Sequence, residues 1–133
     1  MQTLPELNWA RSESAVQKDV RKLLKLLRMT TLKNPAACRE RPEVLPDLTV
    51  FLPGYSLGNP SEIAFIEMKT LKYPLDKRQR VVFGHLSRTV APVFVIGCQD
   101  ALAAFLEWTK DTSKGSPWIY LGTDTHNIHG RPL

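Results

Sequence analysis

The most restrictive feature of the sequence is a pair of strongly apolar segments separated by a helical pattern. The first segment reads IAFIEMKT (63–70), and the second reads PVFVIGC (92–98). Between them, Pro74 and Asp76 open a segment in which apolar residues recur at helical spacing to about residue 88. Two strands joined through a helix pair in parallel, and such crossovers are almost always right-handed. The sequence therefore predicts an α/β fold with a small mixed β-sheet flanked by helices, in two or three layers.

The other segments add two helices and further strands to this unit. The first helix follows a predicted N-cap at Ser12, and the last helix follows one at Asp100. The apolar face of the first helix is formed by Val16, Val20, Leu23, Leu24 and Leu27. LPDLTVFL (45–52) predicts a strand that forms an antiparallel hairpin with 63–70. A short strand is expected within 30–45, and an edge strand at 118–121.

Length and composition predict a single globular domain. The chain has 133 residues, 43% of them hydrophobic, which is enough for one core. We expect a lead-in at 1–11, one domain at 12–122 and a polar tail at 123–133. No apolar run reaches the ~18 residues of a membrane span, and no signal-peptide pattern is visible. Cys38 and Cys98 lie far apart, as in a reducing compartment, so a cytoplasmic protein of bacterial or phage type is expected.

The charge balance favours a polyanionic partner. Eighteen Lys and Arg residues against thirteen Asp and Glu residues give a net charge of +5. Basic residues concentrate on the polar face of the first helix and again after residue 69, which suggests contacts to nucleic-acid phosphates. The candidate nucleic-acid-binding residues are Lys18, Arg21, Lys22, Lys25, Lys72, Lys77 and Arg78. The alternative is that these side chains form an ordinary solvated surface.

Carboxylates are predicted to meet at one end of the hairpin. If paired residue numbers sum to about 115, Asp47 lies opposite Met68. The twofold side-chain period then turns Glu67 and Lys69 to one face and Met68 to the core. Buried charges need partners or a metal ion. Two carboxylates and a lysine therefore predict a site for Mg²⁺ or Mn²⁺ that hydrolyses phosphodiesters, in which Lys69 orients water or stabilises the transition state.

Two more polar residues are placed to reach this end of the sheet. Glu13 lies three residues before Val16 on the apolar side of the first helix, and Gln79 lies three before Val82 on the next helix. Each is one turn beyond the apolar stripe. Either could instead be an ordinary residue at the start of a helix.

The residues PD (46–47) followed by EMK (67–69) resemble the PD-(D/E)xK nuclease superfamily. More narrowly, the chain resembles a stand-alone VRR-NUC domain. The similarity covers about residues 12–108 and is found in four segments, SESAVQ (12–17), PDLTVF (46–51), IAFIEMKTLKYPLDKRQ (63–79) and APVFVIG (91–97). The family usually has a glycine where Leu45 stands here, and often a serine where Asp76 stands.

The resemblance implies a restriction-endonuclease-like core and a Mg²⁺- or Mn²⁺-dependent DNA endonuclease. It implies metal binding by Asp47, Glu67, the Met68 carbonyl and the first-helix acid Glu13. It also implies that Lys69 is the catalytic lysine, with Asp47, Glu67 and Gln79 completing the catalytic group. Stand-alone members suggest branched DNA, such as four-way junctions, as substrate. No small-molecule cofactor and no membrane partner are expected.

Several alternatives remain open on the sequence alone. Asp47 could simply begin a strand, and Glu67 with Lys69 could form an ion pair on an exposed strand end. The domain could be a catalytically inactive nucleic-acid-binding module on the same scaffold. A homodimer is expected, because one site addresses one strand at a time. Residues 118–121 could contribute to the subunit contact or complete the sheet of their own subunit.

Overall fold

The computed structural model describes residues 4–36, 39, 44–53, 62–69, 76–112 and 119–121. Within these ranges the elements, in chain order, are α1 (Glu13–Leu26), β1 (Thr30–Lys33), β2 (Leu48–Phe51), β3 (Ile63–Met68), α2 (Lys77–Thr89), β4 (Val93–Ile96), α3 (Gln99–Thr109) and β5 (Ile119–Leu121). None of the helices described is long and apolar enough to cross a membrane.

The strands form one mixed sheet in the order β1-β2-β3-β4-β5. The β1–β2 and β2–β3 pairs are antiparallel, whereas β3–β4 and β4–β5 are parallel. The α/β class, the small mixed sheet and the parallel crossover through α2 are thus confirmed. The short strand expected within 30–45 is β1. β5 pairs with β4 and so completes the sheet of its own chain.

The helices cover both faces of the sheet, giving three layers. Alternate residues of β3, namely Ala64, Ile66 and Met68, pack in the larger core with α1 and α3. The opposite face carries a smaller cluster in which Phe65 packs near Phe83 of α2. β3 lies in the middle of the sheet and is mostly buried, because both of its faces are covered.

Caps at the helix starts explain where α1 and α2 begin. The Ser12 side chain accepts a hydrogen bond from the Ala15 N–H at 3.3 Å, so the predicted cap of α1 is confirmed. Asp76 caps α2 by accepting from the Gln79 N–H at 2.7 Å. The Gln79 side chain accepts in return from the Asp76 N–H at 3.1 Å, which completes a capping box.

Two predicted details at helix ends are wrong. Leu27, placed in the apolar stripe of α1, lies just beyond the helix and is 38% exposed. The chain turns away there, because Arg28 adopts a left-handed conformation with φ of 66°. Asp100 does not cap α3, since Cys98 occupies the N-cap position without a side-chain bond. Asp100 lies in the first turn of α3 instead, where a negative charge interacts favourably with the positive end of the helix dipole.

The lead-in expected at 1–11 is held against the domain where it is described. Gln99 Oε1 accepts from the Leu7 N–H at 3.1 Å and from Trp9 Nε1 at 2.9 Å. Gln99 Nε2 donates to the Pro5 carbonyl at 2.9 Å. Leu7 and Trp9 also pack against the larger core. The tail expected at 123–133 lies outside the described residues.

The hairpin register differs from the predicted one by one residue. Leu48 pairs with Ile66 and Phe51 with Ile63, so partner numbers sum to 114. The Leu52 N–H donates to the Glu62 carbonyl, which extends the same register beyond β2. The loop between β2 and β3 is therefore one residue shorter than expected, because Leu52 lies opposite Glu62 and not opposite Ile63. The difference matters because a one-residue slip changes the face on which every side chain lies.

Candidate active site

The corrected register brings two carboxylates onto the same face of the sheet. Continuing the β2–β3 pairing places Asp47 opposite Glu67, not opposite Met68. The Asp47 N–H donates to Glu67 Oε1 at 3.1 Å, and the Met68 N–H donates to Asp47 Oδ2 at 2.8 Å. Each carboxylate is thus held by a backbone N–H from the strand that carries the other. This reciprocal arrangement fixes the two side chains next to each other at the ends of β2 and β3.

Burial makes this pair electrostatically unfavourable when both groups are ionised. Glu67 is only 5% exposed, and Asp47 is half-buried. Burial, followed by the charge of Asp47, raises the pKa of Glu67 to about 8. Burial also raises the pKa of Asp47, although the Met68 N–H opposes this shift. In the absence of a cation the pair therefore tends to retain a proton at neutral pH.

Lys69 follows directly after β3 and is half-buried. Its backbone N–H donates to the Ile96 carbonyl at 3.1 Å, which anchors it at the end of β4. Its positive charge lowers the pKa of both Asp47 and Glu67, so the ammonium group is close enough to interact with the pair. Of the described residues, none forms an ion pair with Lys69 within 4.0 Å. Glu67 is buried, so the alternative of an ion pair on an exposed strand end is wrong.

Gln79 connects α2 to the carboxylate pair. Its Nε2 donates to Glu67 Oε2 at 3.3 Å, while its Oε1 is engaged in the capping box with Asp76. The first turn of α2 and the end of β3 are therefore joined through one side chain. The helical spacing that placed Gln79 one turn before Val82 accounts for this position.

Glu13 approaches the same end of the sheet from the α1 side. It lines a small open pocket, whose walls are formed by Trp9, Glu13, Val16, Met68, Lys69 and Gly97. Its charge raises the pKa of both Asp47 and Glu67. Among the described residues, however, no three His, Cys, Asp or Glu side chains form a group that could hold a metal ion. Asp47 and Glu67 are joined by reciprocal hydrogen bonds, and Glu13 acts on both of them through its charge.

Two residues that contribute to the site, Lys33 at the end of β1 and Asn34 directly after it, were not predicted from the sequence. The Asn34 N–H donates to the Asp47 carbonyl at 2.8 Å, and Asn34 Nδ2 donates to the Pro46 carbonyl at 2.9 Å. Lys33 lowers the pKa of Asp47 through its charge. In the sequence, the Asn34-Pro35 pair indicates only a break between elements. The asparagine itself is the feature that could have indicated this role, because asparagine side chains often form hydrogen bonds with nearby backbone groups.

The predicted nucleic-acid-binding residues are mostly exposed where they are described. Lys18, Lys22 and Lys25 lie on the outer face of α1, and Lys77 and Arg78 lie at the start of α2. Lys72 lies outside the described residues.

Arg21 differs from the other basic residues of α1, because it is half-buried and bonded within the fold. Its Nε donates to Thr31 Oγ1 at 2.9 Å. Arg21 therefore joins α1 to β1, which is a structural contact that the charge pattern did not predict.

Asp47 and Glu67 have the donor atoms that a hard divalent cation requires. Asp47 Oδ1 accepts no hydrogen bond from the described residues, and each Glu67 oxygen accepts one. Carboxylate oxygens retain further lone pairs for a ligand. Mg²⁺ is commonly held by one or two carboxylates and otherwise by water. The donor set, the burial and the raised pKa values all fit a bound cation.

Comparison of the chain with protein-family models, with curated proteins and with solved structures gave no match. What the chain does is therefore inferred from the geometry of the site and from the sequence resemblance.

Proposed function

We propose that this protein is a Mg²⁺- or Mn²⁺-dependent DNA endonuclease of the PD-(D/E)xK type, similar to stand-alone VRR-NUC domains. The observation that carries the proposal is the reciprocal contact between the half-buried Asp47 and the buried Glu67, two carboxylates at the ends of neighbouring strands with Lys69 beside them. Placing two acids together out of water is unfavourable unless they share a proton or bind a cation. A fold that builds such a pair at an open sheet end is typical of a functional site.

Asp47 and Glu67 would hold the cation, and the resemblance adds the Met68 carbonyl. The cation would supply neutralisation of charge on the scissile phosphate and a more acidic bound water. The protein itself fixes the two carboxylates through the N–H groups of Asp47 and Met68. Glu13, on the pocket wall, would bind a cation-associated water or a second cation.

Lys69 would act on the attacking water and on the charge that develops at phosphorus. Its backbone is anchored to β4, so the side chain starts from a fixed point, and its charge acts on both Asp47 and Glu67. The positive charge of the Lys69 ammonium group would stabilise the extra negative charge of the transition state. Gln79 would orient Glu67, because its amide already donates to Glu67 Oε2.

The exposed lysines of α1 support DNA as the substrate. Lys18, Lys22 and Lys25 present positive charge on an element that also carries Glu13 to the site. Phosphate contacts of this kind bind without reading base sequence. Selectivity for branched DNA, such as four-way junctions, is proposed from the resemblance to stand-alone VRR-NUC domains. A homodimer would let two sites act on two strands.

Cleavage of covalently closed circular DNA tests this function and separates it from the inactive binding module. The protein is incubated with closed circles and with linear, flap and four-way DNA, in Mg²⁺, in Mn²⁺ or in EDTA. We expect metal-dependent nicking of the circle, because an endonuclease needs no free end. Binding of the same substrates without cleavage would favour the inactive module, and cleavage of linear DNA alone would indicate an exonuclease.

A further inference from the structure

The side chain of Asn34 braces the backbone on which the carboxylate pair is built. Its Nδ2 donates to the Pro46 carbonyl at 2.9 Å, and its Oδ1 accepts from Thr49 Oγ1 at 3.1 Å. The Asn34 N–H donates to the Asp47 carbonyl at 2.8 Å. One residue at the end of β1 therefore holds the carbonyl on each side of the Asp47 Cα atom.

The brace acts on the same peptide group that contacts Glu67. The Pro46 carbonyl and the Asp47 N–H belong to one planar peptide unit. On one side this unit accepts from Asn34, and on the other it donates to Glu67 Oε1 at 3.1 Å. Hydrogen bonds in such a chain polarise one another, and the orientation of the plane sets the direction of the N–H. Rotation of this plane would move both the Asp47 side chain and the donor that holds Glu67.

We infer that Asn34 is a positioning residue, which fixes the spacing of the Asp47 and Glu67 carboxylates and thereby sets the affinity for the divalent cation. This inference rests on the proposed function, since it assigns a second layer of support to the same site. Thr49 is part of the device, because its hydroxyl fixes which way the Asn34 amide is turned. Residues that orient metal ligands typically change metal affinity by about 10- to 100-fold when they are removed.

Binding of Mn²⁺ without DNA tests the inference by a readout that does not depend on catalysis. Isothermal titration measures the affinity of the wild type and of Asn34→Ala, Thr49→Val and Thr49→Ser. We expect Asn34→Ala to weaken Mn²⁺ binding by about tenfold or more. Thr49→Val should weaken it in the same direction, because it leaves Asn34 Oδ1 without its donor. Thr49→Ser keeps the hydroxyl that donates to Asn34 Oδ1, so its affinity for Mn²⁺ should stay close to that of the wild type.

Thr31→Val is the matched control for a general loss of stability. It removes the hydroxyl that accepts a hydrogen bond from Arg21 Nε at 2.9 Å. Thr31 lies on β1, the strand that leads into Asn34, but it is not part of the site. Thermal unfolding of each metal-free variant shows that the titrated protein is folded. We expect Thr31→Val to lower the melting temperature without changing Mn²⁺ affinity.

Three results would overturn the inference, and only the third also overturns the proposed function. If the wild type binds Mn²⁺ and both Asn34→Ala and Thr49→Val bind within about twofold of it, Asn34 does not position the site. If Thr31→Val loses as much Mn²⁺ affinity as Asn34→Ala, the same conclusion holds, because a general loss of stability would then explain the weaker binding. If the folded wild type binds no Mn²⁺, the proposed function fails and the inference fails with it.

Discussion

Raising the pH should destabilise the metal-free protein through Glu67. The folded state holds the Glu67 proton up to a pKa of about 8, whereas its ordinary value is 4.5. Between these two pH values the folded protein binds a proton that the unfolded chain has released. Stability from this group is therefore full below pH 4.5 and is lost progressively as the pH rises toward about 8.

The size of the effect follows from the width of that window. A shift of one pKa unit corresponds to about 1.4 kcal/mol, so the whole window gives at most about 5 kcal/mol. Glu67 is 5% exposed, so solvent screens little of this energy. Part of the shift comes from the charge of Asp47, so about 5 kcal/mol is an upper bound for Glu67 alone. Even half of it is large beside the 5–15 kcal/mol, roughly, that stabilises a typical domain.

Urea unfolding in EDTA at about pH 5 and at about pH 8 measures the difference. Glu67→Gln has no titrating group at position 67, so its stability should change less across this interval than that of the wild type. Glu107→Gln is the matched control, because Glu107 is exposed and forms a surface ion pair with Lys110. A wild-type stability that changes no more with pH than that of Glu67→Gln would refute the reasoning.

Three further predictions concern the carboxylate pair, the lysines of α1 and the oligomeric state. Asp47→Asn should remain folded, because it keeps an oxygen for the Met68 N–H, and should lose metal-dependent DNA cleavage; activity equal to that of the wild type would exclude Asp47 from the site. Reversing Lys22 and Lys25 to Glu should weaken DNA binding and lower the log–log salt slope by about 0.9 for each phosphate that the variant no longer neutralises, measured by fluorescence anisotropy; an unchanged slope would place these lysines outside the DNA interface. Sedimentation should show a homodimer at micromolar concentration, and a monomer that still cuts both strands of a duplex would contradict this expectation.

Much of the fold follows from local patterns in the sequence. The apolar runs at 63–68 and 93–96 are long enough to specify buried strands, and the helix between them favours the parallel pairing that is observed. Ser12 and Asp76 cap their helices as expected, because the short polar side chain is adjacent to unpaired backbone N–H groups. These features depend on neighbours in sequence, and for that reason they are predictable from one chain.

The register and the support of the site depend on contacts between distant residues. The loop between β2 and β3 hides where pairing begins, so the expected partner of Asp47 is one residue away from Glu67. Asn34 was missed because its role exists only once β1 lies beside β2. The charge pattern predicts Arg21 as a nucleic-acid contact alongside the surface lysines, because it does not show that the side chain is bonded to Thr31.

Metal-dependent cleavage by Lys69→Met, compared with the wild type, tests the central claim most directly. The substitution removes the ammonium group at the end of β3 and leaves Asp47 and Glu67 in place. We predict that the wild type cuts branched or closed circular DNA in Mg²⁺ or Mn²⁺, and that Lys69→Met binds Mn²⁺ but cuts at least about 100-fold more slowly. Equal cleavage rates for the two proteins, or a folded wild type that cuts no DNA with either metal, would contradict the account.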